Sequence, residues 1–259
     1  MEHRHYLAVL AYGLLQAGAN LPTMDVTPSQ PPQVEIVLVG DSTVAEQGGW
    51  GPGFCKHVKP AMACVDVAAN GRSTKSFIDE GLWAKALDKH AQYYFIQFGH
   101  NDQKDQPALH TDPQSTFKAN LHRYVADVRA QGGTPILVTS LTRRNFQEGH
   151  LIVDPLKDYA AATREVATED HVSLIDLYRL SRQLIEPMTQ QQADQFDMLH
   201  HEDAKAEGAS ATVPDRTHLN ALGKQTFGDL VARSVYETVP ALQPYMDPPP
   251  PAESEAGTH

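Results

Sequence analysis

The chain has 259 residues, enough for one large α/β domain or two small ones, and its 41% apolar and 20% charged content supports a buried core rather than disorder. The formal net charge of −11 argues against nucleic acid and anionic membrane surfaces as partners, because both want Lys/Arg clusters and the sequence has none. Neutral or locally neutral substrates fit this balance better.

The polar start MEHRHY, the apolar run Leu7–Leu15 and the small-residue site Ala17-Gly18-Ala19 resemble a secretory signal peptide over residues 1–19. That gives a secreted or periplasmic location; an ordinary amphipathic helix is the alternative. The run is too short to span a bilayer. Residues 20–33 are Pro-rich and read as a linker. Residues 34–245 form one domain, and residues 246–259, which hold DPPPPAESEAGTH, read as a disordered tail.

Inside the domain, apolar β-rich runs predict strands at Val34–Val39, Cys64–Ala68, Tyr93–Phe98, Pro135–Thr139 and Val172–Leu177. Helical patterns lie between them. The clearest is Ser115–Gln131, with Phe117, Leu121, Tyr124, Val125 and Val128 at spacings of three and four, ended by Gly132-Gly133. A second runs over Pro155–Ala167. A last one follows His218, with Leu222, Phe227, Leu230, Val231 and Val235 on one face. This alternation predicts a parallel sheet covered on both faces. Ligands of such sheets bind beyond the carboxyl ends of the strands. Cys55 and Cys64 lack histidines at zinc-ligand spacing; they form a disulfide in an exported protein, or stay two buried thiols. No metal or cofactor is expected.

Unusual polar groups sit at the predicted strand ends. The first strand runs into Gly40-Asp41-Ser42, the second into Asn70-Gly71-Arg72-Ser73, the third into Gly99-His100-Asn101-Asp102. Asp215-Arg216-Thr217-His218 precedes the last helix. Alone, a serine past a strand is a cap or turn residue. Together the four pieces are complementary. Ser42 offers a hydroxyl that needs a base, and His218 is such a base. Asp215, three residues earlier, can sit beside the imidazole in a turn or first helical turn and fix its tautomer. The backbone N–H groups of Ser42 and Gly71 and the amide of Asn101 could form an oxyanion hole. His200 and His201 compete as the base but lie in a polar loop, DMLHHEDAKAEG. Trp50, flanked by glycines, suits an exposed loop where it could stack on a sugar; Trp83 reads as core. Arg72 fits an acidic sugar or a structural salt bridge equally well.

These blocks resemble the SGNH (GDSL-type) hydrolases. The stretches GDSTVAEQGGWGPGF, NGRSTKSFIDEGLW, QFGHNDQKD and DRTHLNALG are similar to the rhamnogalacturonan acetylesterase branch of carbohydrate esterases, over about residues 34–238. The resemblance implies a flavodoxin-like three-layer α/β/α sandwich on a five-stranded parallel sheet. It also implies metal-independent deacetylation of an acetylated oligo- or polysaccharide. Ser42 is then the nucleophile, His218 the base and Asp215 its partner, with Ser42, Gly71 and Asn101 as the oxyanion hole. A lipid or thioester hydrolase on the same fold and a non-catalytic carbohydrate binder are the rival readings. The segment Thr189–Val213 is expected as a loop that bears on substrate choice.

Overall fold

The computed structural model describes Met1, residues 34–202 and residues 211–248. The expected signal segment beyond Met1, the linker and the tail after residue 248 lie outside the described residues. The chain divides into Met1–Pro32 and Gln33–His259, and the architecture that follows is that of the second unit.

In chain order the elements are β1 (Val34–Gly40), α1 (Gly51–Cys55), β2 (Met62–Asp66), α2 (Thr74–Asp79), α3 (Leu82–Leu87), β3 (Tyr93–Gln97), α4 (Thr116–Ala130) and β4 (Thr134–Val138). There follow β5 (Phe146–Gln147), β6 (His150–Leu151), α5 (Leu156–Glu169), β7 (Ser173–Ile175), α6 (Leu177–Ile185), α7 (Gln190–Ala193), β8 (Asp197–Glu202), β9 (Ala211–Leu219) and α8 (Ala221–Thr238). Five strands make one sheet in the order β2-β1-β3-β4-β7, every neighbouring pair parallel. These are the five predicted strands, with ends shifted by a few residues.

Strand periodicity sorts the core into two layers. Ile36 and Leu38 of β1 face one side and pack with Phe54 of α1, Ile185 of α6, and Phe227, Val231 and Val235 of α8. Val37 and Val39 face the other side and pack with Phe77 of α2, Trp83 of α3, Leu121, Tyr124 and Val125 of α4, and Tyr159 and Val166 of α5. Helices therefore cover both faces, and the three-layer α/β/α expectation holds. Full burial of each large apolar side chain contributes about 1.5–3 kcal/mol.

Two expectations need correction. Leu222 does not join the apolar face of α8: it is 51% exposed. The buried face follows the spacing Gly223, Phe227 and Val231, and Leu222 sits about 100° round the helix from it. Met246, assigned to the tail, is fully buried and pairs through its backbone with Val58, so the packed chain extends past residue 245. Cys55 and Cys64 are disulfide-bonded, with Cα atoms 5.7 Å apart, which ties the end of α1 to β2. Among the described residues no helix is long and apolar enough to cross a membrane.

Candidate active site

The carboxyl end of β1 turns sharply at Asp41. Its carbonyl accepts from the N–H groups of Val44 and Ala45, at 3.1 Å each. Its carboxylate accepts from the Thr43 N–H at 2.8 Å and the Thr43 hydroxyl at 2.7 Å. Burial pushes the Asp41 carboxyl up against the pull of these bonds. Gln97, at the end of β3, donates to the Thr43 hydroxyl oxygen at 2.7 Å and accepts from the Trp50 indole at 2.8 Å. This buried chain fixes the turn that carries Ser42. It also corrects the expectation for Trp50, which is fully buried and unable to stack on a ligand. The flanking glycines serve close approach: a Cβ on Gly49 would meet the Val44 carbonyl carbon at 2.1 Å, and one on Gly51 the Val44 oxygen at 2.6 Å. Trp83 is core, as expected.

Ser42 itself is only partly covered, and its Oγ lies 2.8 Å from His218 Nε2. The other ring nitrogen of His218, Nδ1, lies 2.6 Å from Asp215 Oδ2. Asp215 Oδ1 accepts from the backbone N–H groups of Thr217 at 2.7 Å and His218 at 2.6 Å. Burial opposes charge on Asp215, but the bonds from the His218 ring and these two N–H groups outweigh it and hold the carboxyl down at about 2. A charged carboxylate on Nδ1 fixes the proton there and leaves Nε2 free to accept from Ser42.

The local backbone is the turn of the two expected forms, set inside a strand: residues 215–218 fall in the irregular stretch of β9 between Pro214, which pairs with Leu199, and Leu219, which pairs with Asp197. Asp215 and His218 lie on β9, which pairs antiparallel with β8. Arg216 takes φ +58°, in the left-handed region, and the two N–H groups that follow it reach back to Asp215. The segment Thr189–Val213, expected as loop, contains α7 and β8, and residues 203–210 lie outside the described residues. His200 and His201 pair along β8 with Val213 and Thr212, and the imidazole at Ser42 is that of His218. A buried ion pair holds this hairpin in place. Arg144, just past β4, joins Asp197 of β8, and Arg144 also donates to the His218 carbonyl at 3.4 Å.

Gly71 and Asn101 arrive from the ends of β2 and β3. Gly71 takes φ +76°, which glycine adopts without strain. Asn101 is 3% exposed, and its Nδ2 donates to the Arg72 carbonyl at 3.0 Å. Arg72 itself pairs with Glu80 at 2.8 Å, the structural reading of the two it allowed. Ser42, Gly71, Asn101, Asp215 and His218 line one cavity of about 340 Å³, with Gln47, Gly48, Asn70, Lys104 and Met198. The structure thus brings together every residue expected at the site. Gln47, Asn70, Lys104 and Met198 were not foreseen. Asn70 and Lys104 carry a weak signal, lying inside the blocks around Gly71 and Asn101. Met198 carried none, because β8 has no apolar alternation to mark it.

Residues 38–226 match the GDSL-like lipase/acylhydrolase family. The chain belongs to that family. The GDSL-like match takes in all five expected site residues, from Ser42 to His218. The chain is 32% identical over 211 residues to a probable rhamnogalacturonan acetylesterase, YesY, of Bacillus subtilis, covering 78% of this chain and 92% of that protein. It is 31% identical over 214 residues to the rhamnogalacturonan acetylesterase RhgT of the same organism, covering 79% and 90%. The crystal structure of Axe2, an acetylxylan esterase from Geobacillus stearothermophilus, is similar in fold, with a TM-score of 0.55 at 16% identity over 79% of this chain and 93% of that one.

Proposed function

We propose that this GDSL-like protein is a serine esterase that removes acetyl groups from plant cell-wall polysaccharide, rhamnogalacturonan first and xylan next, through an acetyl-enzyme on Ser42. One observation carries the reading: Ser42, His218 and Asp215 stand in series at 2.8 and 2.6 Å beside Gly71 and Asn101 in one cavity. The names of the two Bacillus subtilis relatives support the choice of substrate.

The chemistry follows from the geometry. His218 Nε2 takes the Ser42 proton as Oγ attacks the acetyl carbonyl. The N–H groups of Ser42 and Gly71 and the Asn101 amide receive the negative oxygen. The sugar oxygen leaves with the proton held by His218, and water then releases acetate from Ser42. Among the described residues that line the cavity only Met198 has an apolar side chain; Gln47 and Asn70 suit a sugar alcohol better than a long acyl chain. A secreted or periplasmic location is part of the proposal, supported by the Cys55–Cys64 disulfide and the N-terminal pattern.

The test is acetate release from acetylated rhamnogalacturonan, acetylated xylan and p-nitrophenyl esters of rising chain length. Release should be greatest on the first glycan and fall beyond C2–C4 acyl chains. Ser42→Ala should lose at least about 10³-fold in kcat on every substrate. Rates that rise with acyl length would favour the lipid reading. Wild-type turnover by Ser42→Ala would sink the assignment of the nucleophile.

A further inference from the structure

The partners of Asn101 settle the direction of its amide. Lys104 Nζ lies 2.6 Å from Oδ1, and an ammonium can only donate. The Arg72 carbonyl lies 3.0 Å from Nδ2, and a carbonyl can only accept. Oxygen and nitrogen are therefore fixed at opposite ends, with no second orientation that satisfies both neighbours. One Nδ2 hydrogen goes to Arg72, and the second remains for the cavity that Ser42 and Gly71 share. The turn that bears Asn101 is closed by the same residue a second time, since the Lys104 N–H donates to the Asn101 carbonyl at 3.1 Å. Lys104 is surface-exposed, yet its ammonium is folded back onto a side chain that is 3% exposed. Among the described residues no carboxylate lies within ion-pair distance of it.

We propose that Lys104 is a positioning residue of the oxyanion hole, orienting and polarising the Asn101 amide through its Oδ1. A cation on Oδ1 draws electron density from the amide nitrogen, and its free N–H becomes a stronger donor. The effect grows as charge develops on the acetyl oxygen, so it acts on the transition state more than on bound substrate. The proposal rests on the reading of Asn101 as an oxyanion donor.

A double-mutant cycle in the full chain tests it, with p-nitrophenyl acetate as substrate and melting curves to show that each variant folds. Asn101→Ala should lower kcat on the order of 10²-fold, as for one oxyanion donor. Lys104→Met should lower kcat on the order of 10-fold with KM nearly constant, and Lys104→Arg should recover most of that loss. In the Asn101→Ala background, Lys104→Met should cost nothing more, because its route to the oxyanion is gone. Multiplying losses in the double variant would overturn the proposal. So would a rise in KM at constant kcat, which would put Lys104 on the substrate itself. If Asn101→Ala kept full kcat, the oxyanion reading would fail first and the role of Lys104 with it, whereas an additive cycle would remove Lys104 alone.

Discussion

Asp215 shows how a single side chain serves two ends. It fixes the His218 tautomer and also stabilises the folded hairpin through three hydrogen bonds. Asp215→Asn keeps the shape but loses the charge and lets the ring take the wrong tautomer; kcat should fall about 10³–10⁴-fold. The same group gives a pH signature. Its carboxyl is held from an ordinary 3.8 down to about 2, so the fold gains stability from it above pH 4 and loses that gain as pH falls towards 2. Urea denaturation should show a constant stability gap between wild type and Asp215→Asn above pH 4 that closes at lower pH. A gap that instead opened on acidification would contradict the pKa assignment. At this scale the meeting of Ser42, Gly71, Asn101, Asp215 and His218 in one cavity was legible, because their chemistry is complementary. Trp50 was misread because glycines beside an aromatic signal exposure and close packing alike.

The β8–β9 hairpin is the element on which the site depends and the one least visible beforehand. Its strands carry His218 and Asp215 on one side and Asp197 on the other, and β8 reads DMLHHE, with no alternating apolar pattern. What holds it is tertiary. Arg144 reaches from beyond β4 to Asp197, both side chains fully buried, and no periodicity could announce that pairing. Burial pushes the Asp197 carboxyl up to about 6 against the pull of Arg144. Arg144→Met strands that carboxylate and should destabilise by about 3–5 kcal/mol at pH 8. The penalty should shrink at pH 5, since an orphaned carboxyl takes up a proton and sheds its charge. Chemical denaturation at the two pH values measures it, and an equal penalty at both would argue against a buried charge. By contrast α4 was legible nearly to the residue, because five apolar side chains repeat at helical spacing between Ser115 and Gln131.

Across the whole molecule, order follows from strand alternation: each sheet strand feeds both apolar layers, and the β1 sequence VEIVLVG shows it in miniature. A covalent tie adds to that packing. The disulfide closes a loop of sequence separation 9, which in the chain-entropy picture stabilises by about 2–3 kcal/mol. Reduction should lower Tm while acetate release at room temperature persists, because neither cysteine lines the active-site cavity. Loss of activity on reduction below the new Tm would show a coupling the geometry lacks. The sequence left disulfide and free thiols open, since pairing depends on β2 lying beside the end of α1.

Ser42 and His218 stand 176 positions apart in the chain, yet meet at 2.8 Å. The proposed nucleophile follows β1, and its proposed base arrives only on β9, the strand before α8. A growing chain therefore carries Ser42 without His218 beside it until β9 has been made and folded. In the proposed mechanism acyl transfer waits on that meeting: the bond between Ser42 and His218 is itself the sign that the two ends of the domain have found each other, and no fragment that stops short of β9 can hold it.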